Sequence, residues 1–410
     1  MQRQPLCKTE RKRDLLMSAS IERVARAFAH QVPDRTPLFE IFSPYHPIYW
    51  EICGRTIATD MAMAWDAMAA GVAWEELLET SVRAQYAICK FFGLDMVRLN
   101  GIVGPDYPRP LKTGETTWTL GGVGYCLNPQ TDLVVLENPA ASASYSHRYT
   151  EEETRRQVEQ WDGSMPEPAG GDDPIIAGVR QLAAADGVEW VYMAEIGAGT
   201  GVAFYSPFML MWMIEAPELF RRWIEMQKLP ALAQTQRLIE SGSTVVAMGG
   251  DVSCDKGPFI SPSHYREFIL PVILEHVELI HRLGARAVYT SDGNHWPIKD
   301  EFFFESDIDG YKEVDKAAGM TWPRLIEEGV AEKVCIIGNL DARHNLCHGT
   351  VEEVRSEVLE CLEYGRQSPG GHILHASHSV HEDMPVENYY AVIETYREFF
   401  DMEKLYYKSA

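Results

Sequence analysis

No stretch of this 410-residue chain reaches the roughly 18 consecutive apolar residues that a bilayer crossing needs. The basic opening segment, MQRQPLCKTERKRDLL, has no apolar centre of the kind a secretory signal requires, so a cytoplasmic address is expected. Cationic residues are also scarce. Lys and Arg number 37 against 60 Asp and Glu, a formal charge of −23, and no Lys/Arg stripe is present to replace phosphate counterions. Nucleic acid is therefore not an expected partner, and neither is a membrane. The eight cysteines are scattered (Cys7, Cys53, Cys89, Cys126, Cys254, Cys335, Cys347, Cys361) with no C-x-x-C pair, which excludes a zinc-finger pattern and fits reduced thiols.

What the chain does have is 46% hydrophobic and 24% charged residues, enough to bury a full core. Its organising unit is RAVYTSDGNHWPI at 286–298. There a short apolar run through Ala287, Val288 and Tyr289 gives way to a polar turn carrying Asp292 and Asn294. The amphipathic stretch 263–283 precedes it as a helix, and the same grammar of strand, acid or amide, loop and helix recurs along the chain. Strands are expected at 36–40, 95–99, 189–194, 244–248, 287–289, 310–314, 334–337 and 372–374. Eight strands interleaved with helices predict an α/β fold, a parallel (β/α)8 TIM barrel, with residues 1–410 as one unit. Residues 101–189, rich in Gly and Pro, form a long insertion after the second strand, with 165–174 as a polar linker. Thr350 and Glu353 make a capping box for the helix at their C-terminal side.

A parallel barrel keeps its chemistry at the C-terminal ends of its strands. That rule sends Glu40, Asn100, Glu195, Asp251, Asp292, Glu313, Asp341 and His378 to one mouth, and several carboxylates with an imidazole suit acid–base work or a metal. The loop 41–50, with Tyr45 and His46, has the composition of a pocket wall. In HILHASHSVHEDMP, His378 lies just past the last strand, while His372 and His375 are expected to be packed residues. The glycine run of VYMAEIGAGTG at 191–201 is similar to the cofactor loop of S-adenosylmethionine-dependent methyltransferases, but Pro207 interrupts the segment after it and no Rossmann strand set surrounds it.

Taken in order, IERVARAFAHQVPDRTPLFE at 21–40, EAPELF at 215–220, GGDVSCDKGPFISPSHYREFILP at 249–271, YTSDGN at 289–294, IDGYKEVDKAAGM at 308–320, IIGNLDA at 336–342, GTVEEVRSEV at 349–358 and GGHILHASHSVHEDMPVEN at 370–388 resemble the uroporphyrinogen decarboxylase superfamily. The resemblance implies a (β/α)8 barrel with its site at the C-terminal mouth. Porphyrinogen decarboxylases carry an arginine-rich M-R-Q-A-G-R segment after the first strand to hold substrate carboxylates. Here that place reads EIFSPYHPIYW, with no arginine before Arg55. The superfamily's other branch comprises zinc-dependent methyltransferases that work with corrinoid proteins. Their His-x-Cys and late Cys ligands fall here on Thr290, Asp292 and His378, with the resting-state acid at Glu313. The loss of cysteine argues against a thiol acceptor and for a branch that demethylates methoxylated aromatics.

The resemblance thus implies zinc on Asp292, Glu313 and His378 and a small methylated substrate, an aryl methyl ether. Cobalamin would come from a separate corrinoid protein, since the chain shows no cobalamin-binding domain. Glu195 and Asp251 would act as a proton source or support the metal ligands, and Asn339 or Asp341 would orient the substrate. Glu40, Tyr45, His46, Asn100 and Asn294 are the expected substrate contacts, and a homodimer is compatible with the sequence. The rival expectations are a metal-free decarboxylase acting on a non-porphyrin carboxylate and a catalytically silent barrel that binds a methylated ligand or a protein.

Overall fold

In the computed structural model, residues 19–138, 150–165, 173–200, 206–368 and 371–405 are described. Eight short strands lie side by side: β1 (Phe39–Glu40), β2 (Met96–Val97), β3 (Val191–Gly197), β4 (Val245–Gly249), β5 (Arg286–Thr290), β6 (Gly310–Lys312), β7 (Cys335–Ile337) and β8 (His372–Ile373). Every neighbouring pair is parallel and follows chain order. The ring closes through parallel bridges from Leu38 to Leu374 and from Phe42 to Val380, with Phe39 N donating to Leu374 O at 3.1 Å. All eight expected strands are present, each within a few residues of its expected place. Among the described residues no helix is long and apolar enough to cross a membrane.

The strand alternation decides what sits where. Val246, Met248, Ala287 and Tyr289 join the apolar layer between barrel and helices. Their alternates Val245, Ala247 and Val288 instead meet Phe39, Met96, Met193, Ile337 and Ile373 inside the ring, with Phe28 of the opening helix among them. The lower half of the barrel is therefore plugged with apolar side chains. Two residues further along several strands, the inward positions turn polar: Arg98 comes after Met96, Glu195 after Met193, Lys312 after Gly310 and His375 after Ile373. That polar layer is the floor of the mouth.

Helix ends are set by local chemistry. Asp60 caps Met61–Ala70 by accepting from Met63 N, Gly93 in a left-handed conformation stops Trp74–Phe92, and the Thr350–Glu353 capping box starts Val351–Gln367. The stretch expected as one helix over 263–283 is a short turn at Pro262–His264, a π-helical segment at Tyr265–Ile269, and a regular helix at Leu270–Arg282.

The insertion is more regular than its composition suggests. Leu111–Lys112, Thr117–Leu120, Val123–Leu127 and Val134–Leu136 form an antiparallel four-stranded sheet, and helices run over Glu151–Gln160 and Pro174–Ala185. Trp118 of that sheet meets Trp65 edge-on, with ring centroids 6.0 Å apart, and so clamps the insertion onto Met61–Ala70. The expected linker falls largely on 166–172, outside the described residues.

The glycine run is explained by packing. A side chain at Gly199, whose φ is +71°, would come within 2.9 Å of Ala231 Cβ and 3.1 Å of Lys228 Cα. The chain leaving β3 therefore touches helix Pro217–Glu240 at a point where only glycine fits. Gly201, the end of the glycine run, lies outside the described residues.

Candidate active site

Two cavities open at the C-terminal ends of the strands. One, about 200 Å3, is lined by Asp292, Asp315, Arg343, Ser377, His378 and His381, all from segments C-terminal to β5, β6, β7 and β8. Asp292 and His378 thus face the same space. The other, about 360 Å3, lies beyond β1 and β2 and is walled by Tyr45, Met61, Trp65, Met68, Asn100 and Tyr107, with Leu120 contributed by the insertion. Among the described residues no charged side chain lines it.

Between the cavities runs a chain of charged contacts across the floor. Arg98 Nη1 donates to Asn100 Oδ1 at 2.6 Å, and Arg98 Nε stands 3.0 Å from Glu195 Oε2. Lys312 Nζ lies 3.2 Å from Glu195 Oε1 and 2.8 Å from Glu313 Oε1, and its side chain is only 1% exposed. The two cations hold the Glu195 carboxyl below its ordinary pKa even though burial pushes the other way. Glu313 has φ +64°, a conformation that a residue with a side chain rarely adopts.

Asp251 and Asp292 are different. Burial raises the pKa of Asp251, the charge of Glu313 adds to the effect, and His378 opposes it. Burial likewise raises Asp292, with the charges of Asp251, Asp315 and Glu313 next in weight, again opposed by His378. Arg98, Lys312 and Arg343 bear on Glu195, Glu313 and Asp315, whereas among the described residues no basic side chain bonds to Asp251 or Asp292. The mouth therefore holds two carboxyls that bind a proton more tightly than an exposed aspartate does.

Several expected site residues are committed to the fold. Glu40 is buried at the seam between β8 and β1, where its oxygens accept from Ile41 N at 2.9 Å and Ala376 N at 3.3 Å. His375 Nδ1 lies 2.9 Å from Glu40 Oε1, outside hydrogen-bond alignment, and Phe39 packs on its ring. Both His46 nitrogens are used, Nδ1 accepting from Ile48 N at 3.1 Å and Nε2 meeting Met384 O at 2.9 Å. Asn294 Oδ1 accepts from Trp296 N at 3.1 Å.

Asn339 points away from the mouth. Its amide donates to Met320 O at 3.1 Å, and its backbone N donates to Cys361 Sγ at 3.4 Å, on the helix Val351–Gln367. Asp341 caps the turn Ala342–Leu346 by accepting from His344 N at 2.9 Å. Asn100 keeps a place on the larger cavity, although its amide also donates to Phe42 O at 2.7 Å. Tyr45 lines the same cavity.

Arg98, Lys312, Asp315 and Arg343 were not among the expected residues. Arg98 and Lys312 carried a signal all the same: each lies two positions beyond an inward-facing strand residue, where alternation keeps it inside the ring. Arg343 could not be found this way, because it reaches Asp315 and Asp255 from the helical turn Ala342–Leu346 at 3.1 Å and 2.9 Å.

The zinc set fares poorly on geometry. Among the described residues no three His, Cys, Asp or Glu side chains converge closely enough to hold a metal ion. One expected ligand, Glu313, already takes the Lys312 ammonium. Asp292, Glu313 and His378 as they stand do not fit a ligand set.

The turn carrying Asp292 is tightly held. A Cβ at Gly293, whose φ is +92°, would meet Ser253 C at 2.9 Å and Cys254 N at 3.0 Å. Gly293→Ala is accordingly expected to cost about 2–3 kcal/mol through strain and backbone overlap and to displace Asp292. Urea unfolding measures this, and a midpoint unchanged from wild type would refute it.

A family model described as uroporphyrinogen decarboxylase (URO-D) matches residues 190–399. The chain belongs to that family. The matched stretch runs from β3 to the last helix, Val386–Phe399, and so contains every residue of the smaller cavity. Curated uroporphyrinogen decarboxylases of Coxiella burnetii strains are 24% identical over 196 residues, 46% of this chain. The match spans about half of the relatives' length, 49%. Among solved structures, a methyltransferase from Methanosarcina mazei superimposes with a TM-score of 0.61 at 16% identity, covering 93% of this chain and 99% of that one. At that identity the likeness is one of fold, and it extends over the insertion as well as the barrel.

Proposed function

We propose that this chain is an enzyme that moves a methyl group from a small uncharged donor, an aryl methyl ether, to the cobalamin of a separate corrinoid protein. The observation that carries this is the 360 Å3 cavity at the mouth, walled by Tyr45, Met61, Trp65, Met68 and Tyr107 and, among the described residues, by no charged side chain. Aromatic and thioether surfaces favour a neutral ring and give a polycarboxylate nothing to bind. The cations of the mouth do not change this, since Arg98, Lys312 and Arg343 are already paired with carboxylates.

The chemistry asked of the chain is modest. The methyl–oxygen bond breaks with its electron pair left on oxygen, and that oxygen must gain a proton to leave as a phenol. The ring would sit in the larger cavity and its ether oxygen would extend across the floor to the smaller one, where Asp292, whose carboxyl holds its proton more tightly than usual and is raised further by Asp251, supplies the proton. The apolar wall holds the donor and excludes water. Reduced cobalamin on a docked partner would supply the nucleophile for the methyl carbon, which this chain's part is to hold exposed to it.

The test is incubation of the protein with methoxylated aromatics and free cob(I)alamin, monitored by the absorbance of methylated cobalamin. Methylation dependent on protein and donor supports the proposal. Carbon dioxide release from a carboxylate, with no methylation from any donor, would replace it with the decarboxylase reading that the names of the Coxiella relatives suggest.

A further inference from the structure

Two acidic groups of the mouth, Glu195 and Glu313, enclose a residue that takes no part in the proposed proton transfer. Lys312 closes β6 with its side chain 1% exposed, and its ammonium lies between Glu195 Oε1 and Glu313 Oε1 at 3.2 and 2.8 Å. A lysine is rarely buried so fully without a fixed purpose, because ordering its long stem and stripping its ammonium of water are both costly. Here two carboxylates from different strands hold it, and Arg98 anchors the far side of Glu195 at 3.0 Å. The result is a buried positive charge fixed between two carboxylates of the floor.

That placement bears on the metal that the family resemblance implies. The ligand set that the resemblance implies includes Glu313, the group that Lys312 occupies, so an ion held there would bring its own charge up against the ammonium. The remaining donors of the mouth, Asp251, Asp292, Asp315, His378 and His381, do not come together as a ligand set among the described residues. We infer that Lys312 is a positioning residue whose ammonium takes the electrostatic place of a divalent ion, holding Glu195 and Glu313 in register so that the site operates without a bound metal. The inference about catalysis rests on the methyl-transfer reading; the inference about metal does not.

The experiment separates the two. Elemental analysis of the purified full chain after dialysis against metal-free buffer is expected to find well below about one tenth of an equivalent of zinc. Calorimetric titration with zinc should show no stoichiometric site. Lys312→Met exposes the carboxylates to one another and is expected to bind zinc at least about tenfold more tightly than wild type, while Lys312→Arg, which keeps the charge, does not. Should the methionine variant fail to fold, the wild-type titration and the arginine variant still decide the matter.

Stoichiometric zinc in wild type that is lost in Glu313→Gln overturns the inference. Methyl transfer abolished by a chelator and restored by zinc also overturns it while leaving the proposed function standing. Absence of methyl transfer both from the zinc-free protein and after zinc is added removes the proposed function and leaves the assignment of Lys312 as the resident cation intact.

Discussion

Acidification from pH 6.5 to 4.5 is expected to remove most of the protein's stability. His276, His295 and His372 are buried so thoroughly that each pKa falls from 6.5 to about 4. Desolvation is the first cause in all three, and it penalises the charged ring. In the unfolded chain these histidines take a proton near pH 6.5, but in the folded protein they take it only near pH 4. Between those values the unfolded state binds more protons, so stability falls as pH falls and is fully present only above about pH 6.5.

Each histidine contributes about 2–3 kcal/mol by pH 4.5, and three together rival the roughly 5–15 kcal/mol that typically holds a domain folded. Asp251 and Asp292 act in the opposite sense, because carboxyls with raised folded-state pKa values gain protons on folding and soften the loss. Urea midpoints measured from pH 7.5 to 5 check the slope. His295 is the ring to replace first. It stacks on Phe302 at 4.3 Å and bonds to Ser253 and the Ser291 carbonyl, so His295→Gln should lower overall stability and also flatten the slope by about 1.4 kcal/mol per pH unit. An unchanged slope in that variant would show that the acid sensitivity lies elsewhere.

The barrel was legible because its signals are local. Each strand is a short apolar run with a polar residue at its end, and eight repeats of that grammar leave few topologies to choose from. The insertion was not legible in the same way. Its four-stranded sheet is built from short strands such as Leu111–Lys112, exposed on both residues, and what holds it is Trp118 against Trp65, a contact between segments far apart in sequence. The site was legible in part, for a related reason. The rule that strand-end residues face the mouth placed Glu195, Asp251, Asp292, Glu313 and His378 in one region, where each lines the smaller cavity, bonds within the charged floor or acts electrostatically on Asp251 and Asp292.

The same rule failed for Glu40 and Asp341, and His46, Asn294 and Asn339, which were expected on other grounds, share their fate: all five side chains are bonded to backbone groups. At a strand end the nearest unpaired backbone N–H competes with any ligand for a short polar side chain, and proximity favours the backbone. Long side chains escape that competition. Arg98 and Lys312 reach past their own backbone to groups on other strands, which is why the charged floor of the site is built from them.

Replacement of Asp292 by Asn is expected to reduce methyl transfer by about 10^2- to 10^4-fold, the usual share of a general acid. The amide fills the same space and still donates hydrogen bonds but cannot give up a proton to the departing oxygen. The working form of Asp292 is the protonated one, so the wild-type rate should be level at lower pH and fall as pH rises through the elevated carboxyl pKa. Asp251 sets where that fall begins. It is the first charge, after burial, that raises Asp292, so Asp251→Asn removes part of the repulsion and should move the descending limb toward lower pH even where the maximal rate is kept. A purely structural role for Asp251 would lower the rate at every pH and leave the limb in place. The profile is read only at pH values where urea unfolding shows the fold intact, because protonation of the three histidines in the unfolded chain removes stability as pH falls. A rate that climbs with pH across the same interval would identify Asp292 as a base and overturn its assignment as the proton donor.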